Sequence, residues 1–547
     1  MNLNKLFTKL RQHKNTPARN QQAGRHERYT HALEQFLDGH QPAVRLGGVY
    51  TLANLADEWL TDTSLPEQVR REEAQTIIDA LTGCIRTPYP LAQKRQILES
   101  DDAPEGYEGD FTRDQEALRE EQLVRRTVFM EFSRRLAAAE SNKEGNEESQ
   151  HAVPPSSPMW ADLRFDFSGA PIFYPLRQLH FQNADFASAT FYGPADFSGA
   201  TFHGDTSFSA AQFTADASFQ GANFTDWVGF SAAHFAGAAE FSGARFADAA
   251  SFATVTFTGE ADFSDAVFSA AADFSVSDFK SDANFSRLNT AGIASFAAVT
   301  FEGKAVFTAS TFRDEAHFAA SVFNRPAVFS KSLFGGVARF AGVVTKQSAM
   351  FSNVRFASAA DFSGASFTQY EDFGGARFDG DATFSRASFI ALPRTRYEMD
   401  FPQGANFSNA TFAQDADFSK ATFTAHVGFY KATFAREVSF NGASFEGAYF
   451  ADATFGHGAD FRQTSFMYFK PSFEALDRRL QRARFSAQAD PQDYLFKAHP
   501  ESPHGFSCGT AELLNRTFIL PVGAVLYDPD SWDEEKQEYT RISEPAQ

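Results

Sequence analysis

Cysteine is nearly absent from this chain. Two residues in 547, Cys84 and Cys508, cannot build a disulfide framework. Neither sits in a CxxC or CxxCH pair of the kind that holds zinc, a redox couple or haem. Long apolar runs are missing too: the longest candidate, Phe518 to Tyr527, contains Pro521 and Gly523 and falls well short of the ~18 residues that a spanning helix needs. The N-terminus is basic without an apolar signal core, so a reducing, cytoplasmic location is expected. Positive charge is scarce, with 49 Lys and Arg against 69 Asp and Glu and a net charge of -20. That balance argues against direct nucleic-acid binding, which needs clustered cations for phosphate. Catalytic signatures are also missing: the 13 His are scattered, and there is no HExxH, Walker-type glycine loop, GxSxG elbow or GxGxxG after a strand. The expectation is a protein that is not an enzyme, with no cofactor and no metal.

What the chain has in excess is phenylalanine, 64 residues against 14 Tyr and 4 Trp. From Phe181 to Phe466 these recur mostly in alternating steps of five and six, as in the unbroken run Phe197, Phe202, Phe208, Phe213, Phe219, Phe224, Phe230, Phe235, Phe241 and Phe246. Many are preceded two positions earlier by Ala (Ala195, Ala200, Ala211, Ala222, Ala233, Ala239) and flanked by Ser, Thr, Asp, Asn or Gly. An eleven-residue period also suits a right-handed helical supercoil. Composition excludes that reading, because Gly, Ser, Thr and Asp dominate while Leu, Lys and Glu are sparse. Short extended sides joined by tight turns fit instead, with Ala and Phe pointing inward and each coil pairing with the next.

The stretch Ala195-Asp196-Phe197-Ser198-Gly199-Ala200-Thr201-Phe202 and its successors resemble pentapeptide repeats, the A-(D/N)-(L/F)-x-x family. The resemblance implies a mainly β solenoid, a right-handed four-sided β-helix. This sequence departs from the family pattern by an added residue in every second unit and by nearly exclusive use of Phe over Leu. Sides of five, six, five and six make a coil of about 22 residues, so Phe181 to Phe466 would give about 13 coils and, at ~4.8 Å per strand, a column near 60 Å long. Phe197, Phe202, Phe208, Phe213, Phe219 and Phe224 are read as structural core.

The rhythm lapses at Thr290 and Thr345, where Phe is due, and at Leu392 to Asp400, which replaces a Phe due near position 395. Counted as sides, the three lapses fall on different faces. Within the third, Arg394, Arg396 and Tyr397 are candidates for a protruding partner-binding loop. Residues 26–138 read as a helical domain, with helices over Glu27 to Leu37, Ala43 to Leu60, Glu67 to Ile85 and Arg113 to Leu136. The segment Arg28-Tyr29-Thr30-His31-Ala32-Leu33-Glu34-Gln35 followed by Val44-Arg45-Leu46-Gly47-Gly48-Val49-Tyr50 resembles one found upstream of Phe-rich pentapeptide repeats in bacterial proteins, often after membrane-spanning helices. Its Val-Arg-Leu-Gly-Gly stretch also resembles a HEAT-type repeat. Residues 139–158, ending in Pro154-Pro155-Ser156-Ser157-Pro158, read as an exposed linker, which makes the helices and the repeat separable. Phe165, Phe167 and Phe173 lie off the later register and suggest a cap at the start of a repeat region spanning 159–470. Beyond Phe466 the period stops, and residues 471–547 are expected to form a small α+β cap over the end of the column. Phe473 to Phe485 reads there as a basic helix, and Arg516 to Tyr527 as pairing with Tyr539 to Ile542 across an acidic turn. That turn lacks the glycine of a calcium loop.

Two charge features bear on function. Residues 1–25 form a basic arm, in which Leu3, Leu6, Phe7 and Leu10 lie opposite Lys5 and Lys9, so a peripheral contact with the inner face of the cell membrane is one expectation. From Phe181 to Asp265 acids such as Asp196, Asp205, Asp216 and Asp226 face a single base, Arg245. An acidic column resembles the quinolone-resistance members of the family, and the resemblance implies DNA mimicry directed at gyrase. The favoured expectation is a scaffold or adaptor that binds protein partners of unidentified kind; the alternative is a DNA-mimicking modulator of a type II topoisomerase. End-to-end homodimers are a further expectation from the resemblance.

Overall fold

The structure is a computed structural model and describes residues 17–38, 41–137, 159–391, 404–475 and 481–547. It is a parallel β-solenoid of about 13 turns, preceded by helices and followed by a small β cap. Two compact units divide it, residues 1–207 and 208–547.

Among the described residues of the first unit, five α-helices precede the first coils: α1 (Pro17–Phe36), α2 (Pro42–Thr61), α3 (Glu67–Ile85), the short α4 (Arg95–Leu98) and α5 (Phe111–Ala137). Pro17 to Arg25, read from the sequence as part of the basic arm, thus belong to α1. Arg25 is buried there, bonded to Asp62 at 2.7 Å with its guanidinium over the Trp59 ring. Gly48 lets α1 and α2 cross closely, since a Cβ at that position would lie 2.6 Å from the Phe36 nitrogen. Leu52, Ala56, Ile78, Leu81 and Val128 fill the space between the helices.

The expected separation of helices from repeat is not found. Helix α5 lies against the first coils, where its Phe129 ring stacks on Phe167 at 4.6 Å and its Phe132 ring packs against Phe165 at 5.0 Å. Polar contacts fix the seat: Trp160 Nε1 donates to Asp57 at 2.8 Å, Gln122 to the Phe173 carbonyl at 2.8 Å, and Arg86 pairs with Asp166. Phe165–Asp166 pairs in parallel with Ala184–Asp185, and Phe167 stacks on Phe186 at 4.8 Å. The residues read as a cap are therefore already a coil, with Phe165 in the place later held by Ala. The cap itself is α5.

In the second unit each coil has four sides, numbered here in chain order: side 1 (Val228–Gly229, then Ala250–Ser251), side 2 (His234–Phe235, then Thr256–Phe257), side 3 (Ala239–Glu240, then Ala261–Asp262) and side 4 (Arg245–Phe246, then Val267–Phe268). Each side pairs in parallel with the same side one coil on, about 22 residues away. Successive Phe rings on a side stack nearly parallel, as for Phe241 and Phe263 at 4.7 Å and 1°. Rings on sides 1 and 3 meet edge-on across the interior, as for Phe252 and Phe263 at 5.2 Å and 89°.

Five-residue and six-residue steps make different corners. After the Phe of sides 1 and 3 the chain turns tightly: Ala210 takes φ 56° and the Ala211 N–H donates to the Phe208 carbonyl at 3.0 Å. Gly221 and Gly243 hold the same left-handed place (φ 62° and 65°), where the lack of a Cβ removes the steric cost. Most six-residue corners have no such residue, Gln369 with φ 92° being an exception. At the inward Ala position Ser is accommodated by bonding to backbone: Ser277 Oγ donates to the Phe252 carbonyl at 2.6 Å and accepts from the Val255 N–H at 3.0 Å.

Thr290 and Thr345 stand on sides 4 and 2, between Phe268 and Phe312 and between Phe323 and Phe367. Both are buried, and neither hydroxyl finds a hydrogen-bond partner. The third lapse is different from what the spacing suggested. No core place is lost, because Phe407 stacks on Phe373 at 4.9 Å and 5° and supplies side 3 of that coil. Arg394, Arg396 and Tyr397 lie outside the described residues, as do residues 1–16, residue 138 and the linker residues 139–158.

The coil also continues beyond Phe466. Phe473 stacks on Phe450 at 5.0 Å, Phe485 on Phe455 at 4.5 Å and Phe496 on Phe461 at 5.4 Å. The expected helix over Phe473 to Phe485 is absent among the described residues, where the two Phe occupy neighbouring sides and Glu474 bridges Arg482 in antiparallel fashion. No α-helix is described in the cap. Arg516–Pro521 pairs with Cys508–Leu513 rather than with Tyr539 to Ile542; Tyr527 alone bridges Ile542, and Trp532–Asp533 pairs with Glu538–Tyr539.

Candidate interaction surfaces

The six Phe read as core, Phe197 and Phe202 in the first unit and Phe208, Phe213, Phe219 and Phe224 in the second, are all buried. They leave the outward positions to carry any function. Most of those are Ser, Thr, Ala, Asp or Asn, and the acids have a local task. In Asp262, Asp273, Asp361 and Asp417 one carboxylate oxygen accepts the backbone N–H two residues on, at 2.8–2.9 Å, which closes an Asx turn after the inward Phe.

Asp196, in the first unit, does the same toward Ser198 at 3.0 Å and also pairs with Arg177. Burial works against its charge, yet the Ser198 bonds and Arg177 hold its carboxyl below the usual range. Asp205 is exposed in that unit. In the second unit Asp216 precedes side 3 and accepts the Ala238 N–H at 2.9 Å, while Asp226 precedes side 1 and bonds the Thr225 hydroxyl at 2.7 Å. These two exposed acids stand at opposite corners of the coil and share no face. Further along, side 1 has an acidic depression of about 440 Å³ lined by Asp381, Asp415, Asp417, Glu437, Asp460 and Asp493, with Arg462 among them.

On the outward surface His317 pairs with Glu315 at 2.8 Å, and the His426 ring lies tilted against Phe469 at 4.5 Å. Among the described residues no group of three or more His, Cys, Asp or Glu is placed to hold a metal, and no helix is long and apolar enough to cross a membrane.

One surface breaks the small-residue pattern. Beyond Phe466, Met467, Tyr468 and Phe469 are 47%, 70% and 51% exposed. Their backbone is fixed: the Met467 N–H donates to the Phe445 carbonyl at 2.8 Å, and the N–H groups of Tyr468 and Phe469 both donate to the Glu446 carbonyl. Through His426 they adjoin a depression of about 580 Å³ on side 3 whose lining includes Tyr370, Tyr430 and Tyr449. Gly428 opens it, since it follows Asn406 and precedes Tyr449 in the outward row of that side. Sequence reading passed over this surface because the stretch directly follows the last evenly spaced Phe. Three successive large apolar residues where the repeat places small ones were the available signal.

A column of four parallel sheets around stacked rings, closed at five-residue and six-residue corners, defines a repeat solenoid. The family model for pentapeptide repeats (9 copies) matches residues 186–234, 230–278 and 422–465. Those segments carry pentapeptide repeats in a Phe-rich form, within a solenoid fold. No curated protein and no solved structure matches it.

Proposed function

We propose that this protein is a non-enzymatic scaffold that binds a protein partner through the aromatic surface on sides 2 and 3 of its last coils. The observation that carries the reading is the Met467-Tyr468-Phe469 segment, exposed yet fixed by three backbone hydrogen bonds. Exposed apolar side chains held in one place lose little conformational freedom on binding, and Tyr, Phe and Met are frequent anchors of interfaces. The acids give less support to a topoisomerase-directed DNA mimic, since Asp216 and Asp226 share no face and Asp196 is committed to a turn and an ion pair. The expected membrane contact falls on residues 1–16, outside the described residues.

The test is crosslinked affinity purification of the intact chain from its own cells, beside a Tyr468→Ser, Phe469→Ser double variant. A protein enriched by the wild type and lost with the variant supports the reading. Equal recovery with both would remove this surface from it, and enrichment of gyrase would favour the mimic.

A further inference from the structure

Side 4 of the second unit carries a recess of about 470 Å³ beneath the C-terminal segment. Its floor is small, Ala435 and Gly456, which fall in line because Thr433–Phe434 pairs in register with Thr454–Phe455. The same register places the Thr433 and Thr454 hydroxyls at one margin of that floor and Arg436 and His457 at the other. Neither threonine hydroxyl makes a hydrogen bond among the described residues, and Arg436 forms no ion pair there. His457 lies 3.8 Å from Glu437. The wall is aromatic: the Tyr527 and Tyr539 rings sit 4.4 Å apart, held by the Tyr527–Ile542 bridge and by Trp532 against Tyr539 at 4.9 Å. Of the acids in the overhanging segment, Asp528 is engaged by Arg541 at 2.8 Å and Asp530 by Gln488 at 2.7 Å, while Glu534, Glu535 and Glu538 are exposed and none of these three lines the recess.

Arg436 thus presents a guanidinium without a carboxylate, and beside free hydroxyls and an aromatic wall it selects a ligand class. We propose that this recess binds a small aromatic anion, its ring against Tyr527 and Tyr539 and its carboxylate or phosphate held by Arg436 and the threonine hydroxyls. The volume suits such a ligand, since small-molecule pockets run from roughly 300 to 1,000 Å³. The recess lies on a different side from the aromatic surface proposed for partners, and either assignment can fail without the other.

The test is saturation-transfer NMR and calorimetry on the full chain with benzoate and adenosine 5′-monophosphate. Benzyl alcohol and adenosine serve as uncharged counterparts, acetate and inorganic phosphate as counterparts without a ring. Saturable binding of at least one aromatic anion is expected, roughly tenfold or more tighter than either counterpart, a difference of about 1.4 kcal/mol. Arg436→Gln should weaken it at least as much without moving the melting temperature, because Arg436 is exposed, and Tyr539→Leu should weaken it too. No saturable binding of either anion, equal binding of the counterparts, or unchanged affinity in Arg436→Gln would overturn the proposal.

Discussion

Glu371 occupies an inward place on side 3 that Ala349 holds one coil earlier and Ala405 one coil later. It is 1% exposed, and its Oε1 has no hydrogen-bond partner. Burial alone pushes its carboxyl up to about 8, from an ordinary value of 4.5. The folded chain therefore keeps a proton that the unfolded chain releases above pH 4.5. Stability is full below that point, falls as pH rises toward 8, and stays at its reduced value above. At 1.36 kcal/mol per pH unit, the whole window is worth roughly 4 to 5 kcal/mol as an upper bound. Glu371→Ala restores the residue of the neighbouring coils, and Glu371→Gln keeps the shape without the charge. Urea unfolding followed by circular dichroism at pH 5, 7 and 9 reads the effect. The wild type and the Ala variant should lie within about 1 kcal/mol at pH 5, and the variant should exceed the wild type by several kcal/mol at pH 9, because an unpaired buried charge is costly. A wild type whose stability changes between pH 5 and 9 no more than that of Glu371→Ala would refute the reasoning.

Other positions give independent checks. Phe263 stacks between Phe241 and Phe285 at 4.7 and 5.1 Å, so Phe263→Ala should cost about 3 to 5 kcal/mol in calorimetric unfolding; a loss under about 1 kcal/mol would mean the column closes over the gap. Val276 holds φ 59° while 60% exposed, so Val276→Gly should stabilise by about 1 kcal/mol, read from the urea midpoint, by removing a branched side chain from a left-handed corner. Thr290→Val removes the buried hydroxyl at nearly constant volume and should gain about 1 to 2 kcal/mol, and a loss in the same measurement would show that the hydroxyl is satisfied. Phe129→Ala should strip the α5 seat from Phe167 and make α5 a target of limited proteolysis, whereas unchanged cleavage would show that the polar contacts suffice.

The column was legible because each inward place needs a ring at a fixed arc length, so the five-and-six steps of Phe197 to Phe246 map directly onto corners. Where the chain lengthens between sides, the arithmetic fails although the physics holds. Phe407 still reaches Phe373, and Phe473, Phe485 and Phe496 still extend the stacks, but their spacing no longer announces it. Phe129 and Phe132 misled for another reason: apolar residues on an amphipathic helix read equally as bundle core or as a lid on something else. The aromatic surface was hidden by position, since Met467 to Phe469 directly follow Phe466, where the even rhythm ends. The recess at Arg436 depends on a fold-back of residues 527–539 that no local pattern encodes.

The covering of both ends of the repeat has a consequence for assembly. A parallel stack of flat coils with bare termini is a template on which identical chains could add indefinitely, as in a fibril. In the first unit α5 sets Phe129 over Phe167, and in the second Phe506 meets Phe466 edge-on at 5.3 Å, turning a ring across the direction of stacking. Each is a chain terminator in the polymer sense. A protein built from interchangeable coils can thus be concentrated in a cell without seeding its own aggregation.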